Sequence, residues 1–155
     1  MKAARFKKGF TLIELLVVIG ILAVLLAITL IAINPAKQFK QANDTKRRSD
    51  VNAILNAVNQ YAADNKGNIA PLGIPATAAV IGSDTAGGQI NICSLLVPKY
   101  IAALPRDPLT ANGAPISDCT AAYNTRYQVS QSASDNRITV TAPDYEGTEA
   151  ISVTR

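Results

Sequence analysis

The segment KKGFTLIELLVVIG, residues 7–20, decides how the rest of the chain is organised. It opens the most apolar run of the protein, which continues to Ile33 with one hydroxyl group, at Thr29, and no charge after Glu14. About 20 helical residues cross a bilayer core of about 30 Å, and a soluble core helix normally carries a polar stripe that this run lacks. We therefore predict a membrane-spanning helix, in which the ionisable Glu14 requires a separate explanation.

The basic residues are concentrated at the start of the chain. The protein has 155 residues with 15 basic and 11 acidic side chains, and four of the basic ones fall within residues 1–9. Without those nine residues the charges balance, so the net charge of +4 gives no argument for a nucleic-acid partner. An ordinary secretory signal has an apolar region of about 7–15 residues followed by a small-residue cleavage site. This apolar run is longer and lacks such a site.

The residues KGFTLIE, 8–14, preceded by a basic leader and followed by an apolar helix, resemble the class III signal of type IV pilins and the related pseudopilins. The resemblance implies that a prepilin peptidase and methyltransferase cuts between Gly9 and Phe10 and methylates the new terminal Phe10. It also implies a single-pass protein of the cytoplasmic membrane, in contact with lipid and with its head outside. An inner-membrane assembly platform then builds it, with identical or related subunits, into an extracellular or cell-envelope filament.

Glu14 lies one helical turn after Phe10, in the first turn of the mature helix, where the helix dipole favours an anion. A carboxylate in hydrocarbon is costly, and the cost falls if a cation pairs with it. The ammonium group of Phe10 in the same chain is one candidate, and the resemblance favours that of a neighbouring subunit. We expect Glu14 to set the axial register of the filament; the alternative is a tolerated interfacial glutamate.

Gly20 and Pro35 are the helix-weakening residues near the anchor, and we predict a helix kink at these positions. A simple kink at the membrane exit is one interpretation. The family resemblance implies another, in which the stretch between the two residues extends or melts when subunits pack. The sequence leaves both open.

The rest of the chain predicts an α+β head. Apolar residues recur at helical spacing from Val51 to Ala62, so we expect one long helix over residues 10–65 that is bent near Pro35. Residues 66–92 are rich in small residues, Gly and Pro and predict a surface loop. The runs RYQVSQ, RITVTA and AISVTR alternate with period two, which predicts about three antiparallel strands that pack on the second half of the helix.

The predicted organisation has four segments. These are a removed leader (1–9), a transmembrane and filament-core helix (10–33), the amphipathic second half of the helix (34–66) and a globular head (67–155). The element LPRDP, residues 104–108, predicts a rigid turn because its two prolines restrict the backbone. A similar element occurs in pseudopilins and in some bacterial pilins.

Cys93 and Cys119 are the two cysteines, and for a protein whose bulk lies outside the cytoplasm we predict that they form a disulfide. A reduced pair or a pair of metal ligands is the alternative, although two cysteines without histidine make a poor zinc site. The basic residues between 37 and 48 have three interpretations. The favoured one is a solvated face that pairs with acidic residues of neighbouring subunits; anionic lipid and nucleic acid are the others.

The chain contains no histidine, which removes the common nucleophilic triads and His-ligated metals. We expect no enzyme activity, no cofactor and no metal, including calcium at Asp135, Asp144 and Glu146. The predicted function is a structural subunit of a type IV pilus that polymerises through its apolar helix. A pseudopilin of a type II secretion system and a pilus-associated receptor for DNA uptake are the alternatives.

Overall fold

The computed structural model describes residues 9–155, so the basic part of the predicted leader lies outside the described residues. The chain divides into two compact units, Met1–Phe39 and Lys40–Arg155. We call the second unit the head. It includes most of the amphipathic helix segment that the sequence analysis separated from the globular part.

The anchor helix, α1, spans Leu12–Ile33 and is followed by a break in the helix at Asn34. Asn34 has a left-handed backbone conformation with φ of 45°, and the next helix, α2, begins at Pro35 and ends at Asp64. The predicted single helix is therefore interrupted next to Pro35. Proline lacks a donor and disfavours helical geometry in the preceding residue, whereas it is well suited to the first helical position. Gly20 lies inside α1, which continues through it.

The head combines α2 with one antiparallel sheet of four strands in the order β1-β2-β3-β4, which confirms the α+β class. The three strands predicted near the end of the chain are present, and the structure adds one strand before them. Short helical turns occur at Ala70–Leu72, Cys93–Leu96 (α3) and Ala111–Gly113. The strands are β1 at Ala79–Gly82, β2 at Asn124–Gln131, β3 at Ile138–Ala142 and β4 at Ile151–Thr154.

Strand β1 lies in the segment that was predicted to be a loop. Its four residues, AVIG, do not alternate between apolar and polar side chains, and the strand forms by pairing with β2, where Ala79 faces Val129. The register shifts between Val80 and Gly82. At the corresponding part of β2, Arg126 has a φ of 69°, and its N–H donates to the Asn124 Oδ1 at 2.8 Å. A bulge of this kind bends a strand and redirects its side chains.

The core forms between one face of α2 and one face of the sheet. Val51, Ile54, Leu55 and Val58 have no exposed surface, which confirms the predicted helical stripe up to Tyr61. Ala62, at the end of the predicted stripe, is partly exposed. The sheet contributes alternate residues to the same hydrophobic cluster, among them Tyr127, Val129, Ile138, Val140 and Ile151.

A disulfide joins Cys93 to Cys119, with the two Cα atoms 5.4 Å apart and a sequence separation of 26. Cys93 begins α3 and is fully buried, whereas Cys119 lies in the segment before β2. The bond therefore ties the irregular middle of the head to the start of the sheet. Such a link stabilises the folded state mainly by restricting the unfolded chain.

We expect the double substitution Cys93→Ala and Cys119→Ala to lower the free energy of unfolding of the head by about 3–4 kcal/mol, because the unfolded chain regains the entropy of the open loop. Urea unfolding followed by tyrosine fluorescence measures the effect on the head alone, since all five tyrosines lie between residues 61 and 145. Reduction of the unsubstituted protein is the control, because it breaks the bond and keeps both sulfur atoms. A loss below 1 kcal/mol in both cases would contradict the prediction.

Candidate functional site

The anchor helix begins with a reciprocal pair of hydrogen bonds between Thr11 and Glu14. The Glu14 N–H donates to the Thr11 Oγ1 at 3.3 Å, and the Thr11 N–H donates to the Glu14 Oε2 at 2.8 Å. The Thr11 hydroxyl also donates to the Glu14 Oε2 at 2.8 Å. This is a capping box, which satisfies two helix-end donors. The capping box was not predicted from the sequence, although threonine-x-x-glutamate before an apolar run is the usual signature of this motif.

The predicted cleavage site, Gly9 and Phe10, lies just before the cap and outside the helix. The Phe10 side chain is 87% exposed, and a Cβ atom at Gly9 would meet no other atom within 4 Å. Both residues are therefore accessible in the described chain, and the Thr11 cap determines how far the helix extends towards them.

Helix α1 exposes an apolar surface on all sides. Its large apolar side chains are all more than half exposed, and the least exposed of them, Val18, is 52% exposed. At 1.5 Å per residue its 22 residues span about 33 Å, close to the hydrocarbon thickness of a bilayer. Among the described residues it is the one helix long and apolar enough to cross a membrane. Such a surface is stable in lipid or against other apolar helices.

The head contains a buried ionic cluster around Arg47, which has no exposed surface. The guanidinium Nε donates to the Asp107 Oδ2 at 2.6 Å, and an Nη donates to the Asp107 Oδ1 at 3.2 Å. The other Nη donates to Asp44 at 2.8 Å and to Glu146 at 3.3 Å. One cation is thus surrounded by three carboxylates; we call Asp44, Arg47, Asp107 and Glu146 the Arg47 cluster.

Further bonds extend the Arg47 cluster into the backbone. The N–H groups of Glu146 and Gly147 donate to Asp44 at 3.0 and 2.7 Å. Burial alone would raise the pKa of Asp44, but the hydrogen bonds from these two amides and from Arg47 outweigh it and lower that pKa. Burial likewise opposes the charge on Arg47, whereas the bonds to Asp107 and Asp44 raise its pKa. Arg47 is therefore a permanent cation and Asp44 a stable anion.

Next to the Arg47 cluster, Asp50 accepts hydrogen bonds from Tyr127 of the sheet and from Lys46 of α2. The Tyr127 hydroxyl donates to the Asp50 Oδ2 at 2.7 Å, and the Lys46 ammonium donates to the same oxygen at 2.7 Å. Burial raises the pKa of Tyr127, and the bond to the Asp50 carboxylate raises it further. The buried phenol therefore remains a neutral donor, which joins α2 to β2.

The basic residues of α2 therefore do not form one solvated face. The expectation that they pair with neighbouring subunits is wrong for Arg47, whose partners belong to its own chain. Arg48 contacts Glu149 at 3.4 Å in the same chain, with both side chains more than half exposed. A helical wheel places Arg47 on the apolar side of α2, beside Val51 and Ile54. That position is the feature of the sequence from which the burial of Arg47 could have been predicted.

The acidic residues that were considered for calcium each have a basic partner within the head. Glu146 belongs to the Arg47 cluster, and Asp144 accepts from the Arg126 Nε at 2.8 Å. Asp135 lies 3.8 Å from the Arg137 Nε. The three carboxylates therefore belong to three separate ion pairs.

The structure places the sequence-predicted site residues in two groups. Gly9, Phe10 and Glu14 lie together at the start of α1, and Cys93 bonds to Cys119 in the head. An apolar, exposed anchor helix with a capped acidic start, followed by a disulfide-bonded α+β head, defines a class of membrane-anchored structural subunits.

Comparison with known proteins identifies the family. Residues 4–30 match the prokaryotic N-terminal methylation motif. The chain is 35% identical over 104 residues to the type II secretion system core protein G of Aeromonas hydrophila, across 67% of this chain and 68% of that protein. No solved structure matches the chain at a significant level. The chain belongs to the family of type IV pilins and pseudopilins, whose members are structural subunits of multi-subunit filaments.

We expect Arg47→Met to lower the free energy of unfolding of the head by about 3–5 kcal/mol, because it leaves buried carboxylates without their cation. Urea unfolding followed by tyrosine fluorescence measures this loss. The matched control is Arg48→Met in the next position of α2, whose exposed ion pair contributes about 0–1 kcal/mol. Equal losses in the two variants would show that the Arg47 cluster has no special role.

The stability of the head should also depend on pH through Asp44. Its pKa is lowered in the folded state, so the stability from its ionised form is complete above the unfolded value near 3.8 and is lost as the pH falls through the folded value. We expect the free energy of unfolding to decrease below about pH 4, with a shallower slope in Asp44→Asn. Urea unfolding at pH values between 2 and 7 measures both slopes. Identical slopes would exclude Asp44 as a contributor.

Proposed function

We propose that this protein is a structural subunit of a type IV pilus, which acts by assembly and carries no catalytic activity. A prepilin peptidase cuts it between Gly9 and Phe10, and the new amino group of Phe10 is methylated. Helix α1 holds the protein in the cytoplasmic membrane with its head outside until an assembly platform moves it into the filament. The observation that carries this proposal is the apolar helix with its Thr11–Glu14 cap, directly preceded by the exposed Gly9-Phe10 pair.

In this proposal Glu14 provides the specificity of assembly. Lipid tails are as apolar as the side chains of α1, so moving the helix from lipid to a filament core gains little from the hydrophobic effect. A Glu14 carboxylate left without a cation in the apolar core then costs more than the loss of any single apolar contact. Cleavage creates such a cation at Phe10, and the Phe10 ammonium of a neighbouring subunit pairs with Glu14 when the two helices are in register.

The capping box supports the proposed role of Glu14 in assembly because it restricts the position of the Glu14 carboxylate. Thr11 binds one oxygen of Glu14, Oε2, through its N–H and its hydroxyl. The described bonds leave Oε1 available to a partner outside the chain. A side chain already ordered by its own helix loses less entropy when it pairs with a second molecule.

We expect Glu14→Leu to abolish filaments while the protein is still inserted and cleaved, because the apolar helix and the peptidase site are unchanged. Thr29→Leu is the matched control: it removes a polar group from the same helix, where the Thr29 hydroxyl donates to the Leu26 carbonyl at 2.9 Å, and filaments should form normally. Electron microscopy of sheared surface material counts the filaments. Normal filaments from Glu14→Leu would refute the register hypothesis.

The N-terminus of the filament subunit tests the proposal as a whole. Mass spectrometry of the sheared fibres should identify a chain that begins at methylated Phe10. Fibres whose subunits retain residues 1–9, or a chain found only as dispersed, uncut protein in the membrane, would refute the proposed function.

A pseudopilin of a type II secretion system is the second candidate, and it is favoured by the similarity to the core protein G of Aeromonas hydrophila. Deletion of the gene distinguishes the two. Loss of long surface fibres with normal protein export supports the pilus, whereas blocked export in cells without long fibres supports the pseudopilin.

A further inference from the structure

The segment LTANGAP, residues 109–115, forms an exposed loop without charged side chains, which we call the 109–115 loop. Leu109 is 64% exposed and is the most exposed large apolar residue of the described head; the next is Tyr145, at 38%. A single exposed leucine is common on protein surfaces. This one belongs to a loop with an unusual backbone, in which Ala111 has a φ of 47°, and such conformations occur mainly at functional positions.

Hydrogen bonds hold the 109–115 loop at the end of the head where the Arg47 cluster lies. The Leu109 N–H donates to the Asp107 Oδ1 at 2.9 Å, and Asp107 belongs to that cluster. A Cβ atom at Gly113 would lie 3.4 Å from the Lys46 Cε, so the far side of the loop rests on α2. The position of Leu109 is therefore fixed by the fold of the head.

A groove lies at the other end of the head, between the last turns of α2, the loop that follows it, the end of β2 and the start of β3. We call it the α2 groove; its volume is about 460 Å³. Its floor is apolar and consists of Val58, Ile69 and Ile138, which belong to the core or pack against it. Ala62 also lines the groove, sixteen residues after Lys46 and therefore about 24 Å further along the helix.

The polar groups of the α2 groove and of the 109–115 loop are complementary. The Asn68 Oδ1 accepts the Ala70 N–H at 3.1 Å. The Asn136 Oδ1 accepts from the Gln131 Nε2 at 3.3 Å. Since both oxygens are engaged, the NH₂ group is what each asparagine offers to a partner. Within the described residues the Leu109 carbonyl, by contrast, has no hydrogen-bond donor. Donors therefore line the groove, and an acceptor projects from the loop beside an apolar side chain.

The two surfaces do not repel each other. The 109–115 loop carries no charge, and the charged residue that lines the α2 groove, Arg155, donates through its Nη1 to the Asn56 Oδ1 at 2.7 Å. Apolar contacts and hydrogen bonds therefore decide how well the loop and the groove fit.

We propose that the 109–115 loop of one subunit binds in the α2 groove of another subunit in the filament, with Leu109 on the apolar floor. The inference rests on the assembly of this protein into a filament, whether a pilus or a secretion pseudopilus. A contact between two different surfaces of the same chain repeats without closing and generates a helical polymer, whereas a contact between two identical surfaces ends at a dimer. The loop and the groove lie at opposite ends of the head, as such a repeat requires.

Cysteine cross-linking in assembled filaments tests the contact directly. Leu109→Cys combined with Ala62→Cys should give a ladder of cross-linked subunits on mild oxidation, because the native cysteines are already paired with each other. The two introduced cysteines lie at opposite ends of one head, too far apart for an internal disulfide, so each new bond joins two subunits. Leu109→Cys with Gln60→Cys is the matched control. Gln60 is exposed half a turn before Ala62 and outside the groove, and this pair should give at least fivefold fewer cross-links.

An exchange of side-chain size tests which residues form the contact. Leu109→Ala removes the apolar contact and Ala62→Leu fills part of the groove, so each alone should lower the number of filaments at least fivefold. The double substitution restores the fit, and we expect its filament number to lie within twofold of the unsubstituted protein. Ala63→Leu, at an exposed position beside Ala62 and outside the groove, is the control and should leave the number unchanged. Electron microscopy counts the filaments, and unchanged urea midpoints show that the variants are folded.

Three results would overturn the proposal: filaments of the Leu109→Cys and Ala62→Cys protein that give no ladder, equal cross-linking with Gln60→Cys, or normal filaments from Leu109→Ala. Each is observed in filaments that do form, so each leaves the proposed function intact. The proposed function fails separately, if the unsubstituted protein forms no filament.

Discussion

A guanidinium without access to water must be surrounded by acceptors, and this requirement fixes the architecture of the head around Arg47. Its three carboxylate partners come from α2, from the LPRDP turn and from the turn before β4. The LPRDP turn is also held by backbone bonds of Leu104 with Ile116 and of Asp107 with Thr125, and the turn before β4 is held by bonds from the Glu146 and Gly147 N–H groups to Asp44. A buried ion pair adds little net stability compared with an apolar core, but breaking one is costly. The Arg47 cluster therefore acts mainly by fixing the positions of these two turns relative to α2.

The charge of Glu14 in the anchor helix is held differently from the charge of Arg47 in the head. Glu14 is held at the start of α1 by Thr11 and remains on an exposed, apolar helix. The head satisfies its buried cation within one chain. In the proposed filament, by contrast, the negative charge of Glu14 is neutralised by the Phe10 ammonium of a neighbouring chain. In that proposal the head is stable by itself, and the helix keeps one ionic interaction for assembly.

The LPRDP turn connects the interior of the head to its surface. Asp107 belongs to the Arg47 cluster, and the adjacent Arg106 is partly exposed. The two prolines keep the backbone of this turn in place, and the bond from the Asp107 N–H to β2 anchors it to the sheet. The same rigid element therefore holds a buried carboxylate next to a partly exposed arginine.

The features that depend on local patterning could be predicted from the amino-acid sequence. The apolar run to Ile33, the helical stripe from Val51 and the alternation in the last three strands each follow from burial with a period of a helix or a strand. The remaining features depend on contacts between distant parts of the chain. Strand β1 exists because it pairs with a distant strand, and Arg47 is buried because Asp107 and Glu146, 60 and 99 residues away, neutralise it. Contacts of that range leave no periodic trace in a sequence, since the chain between them is free to vary.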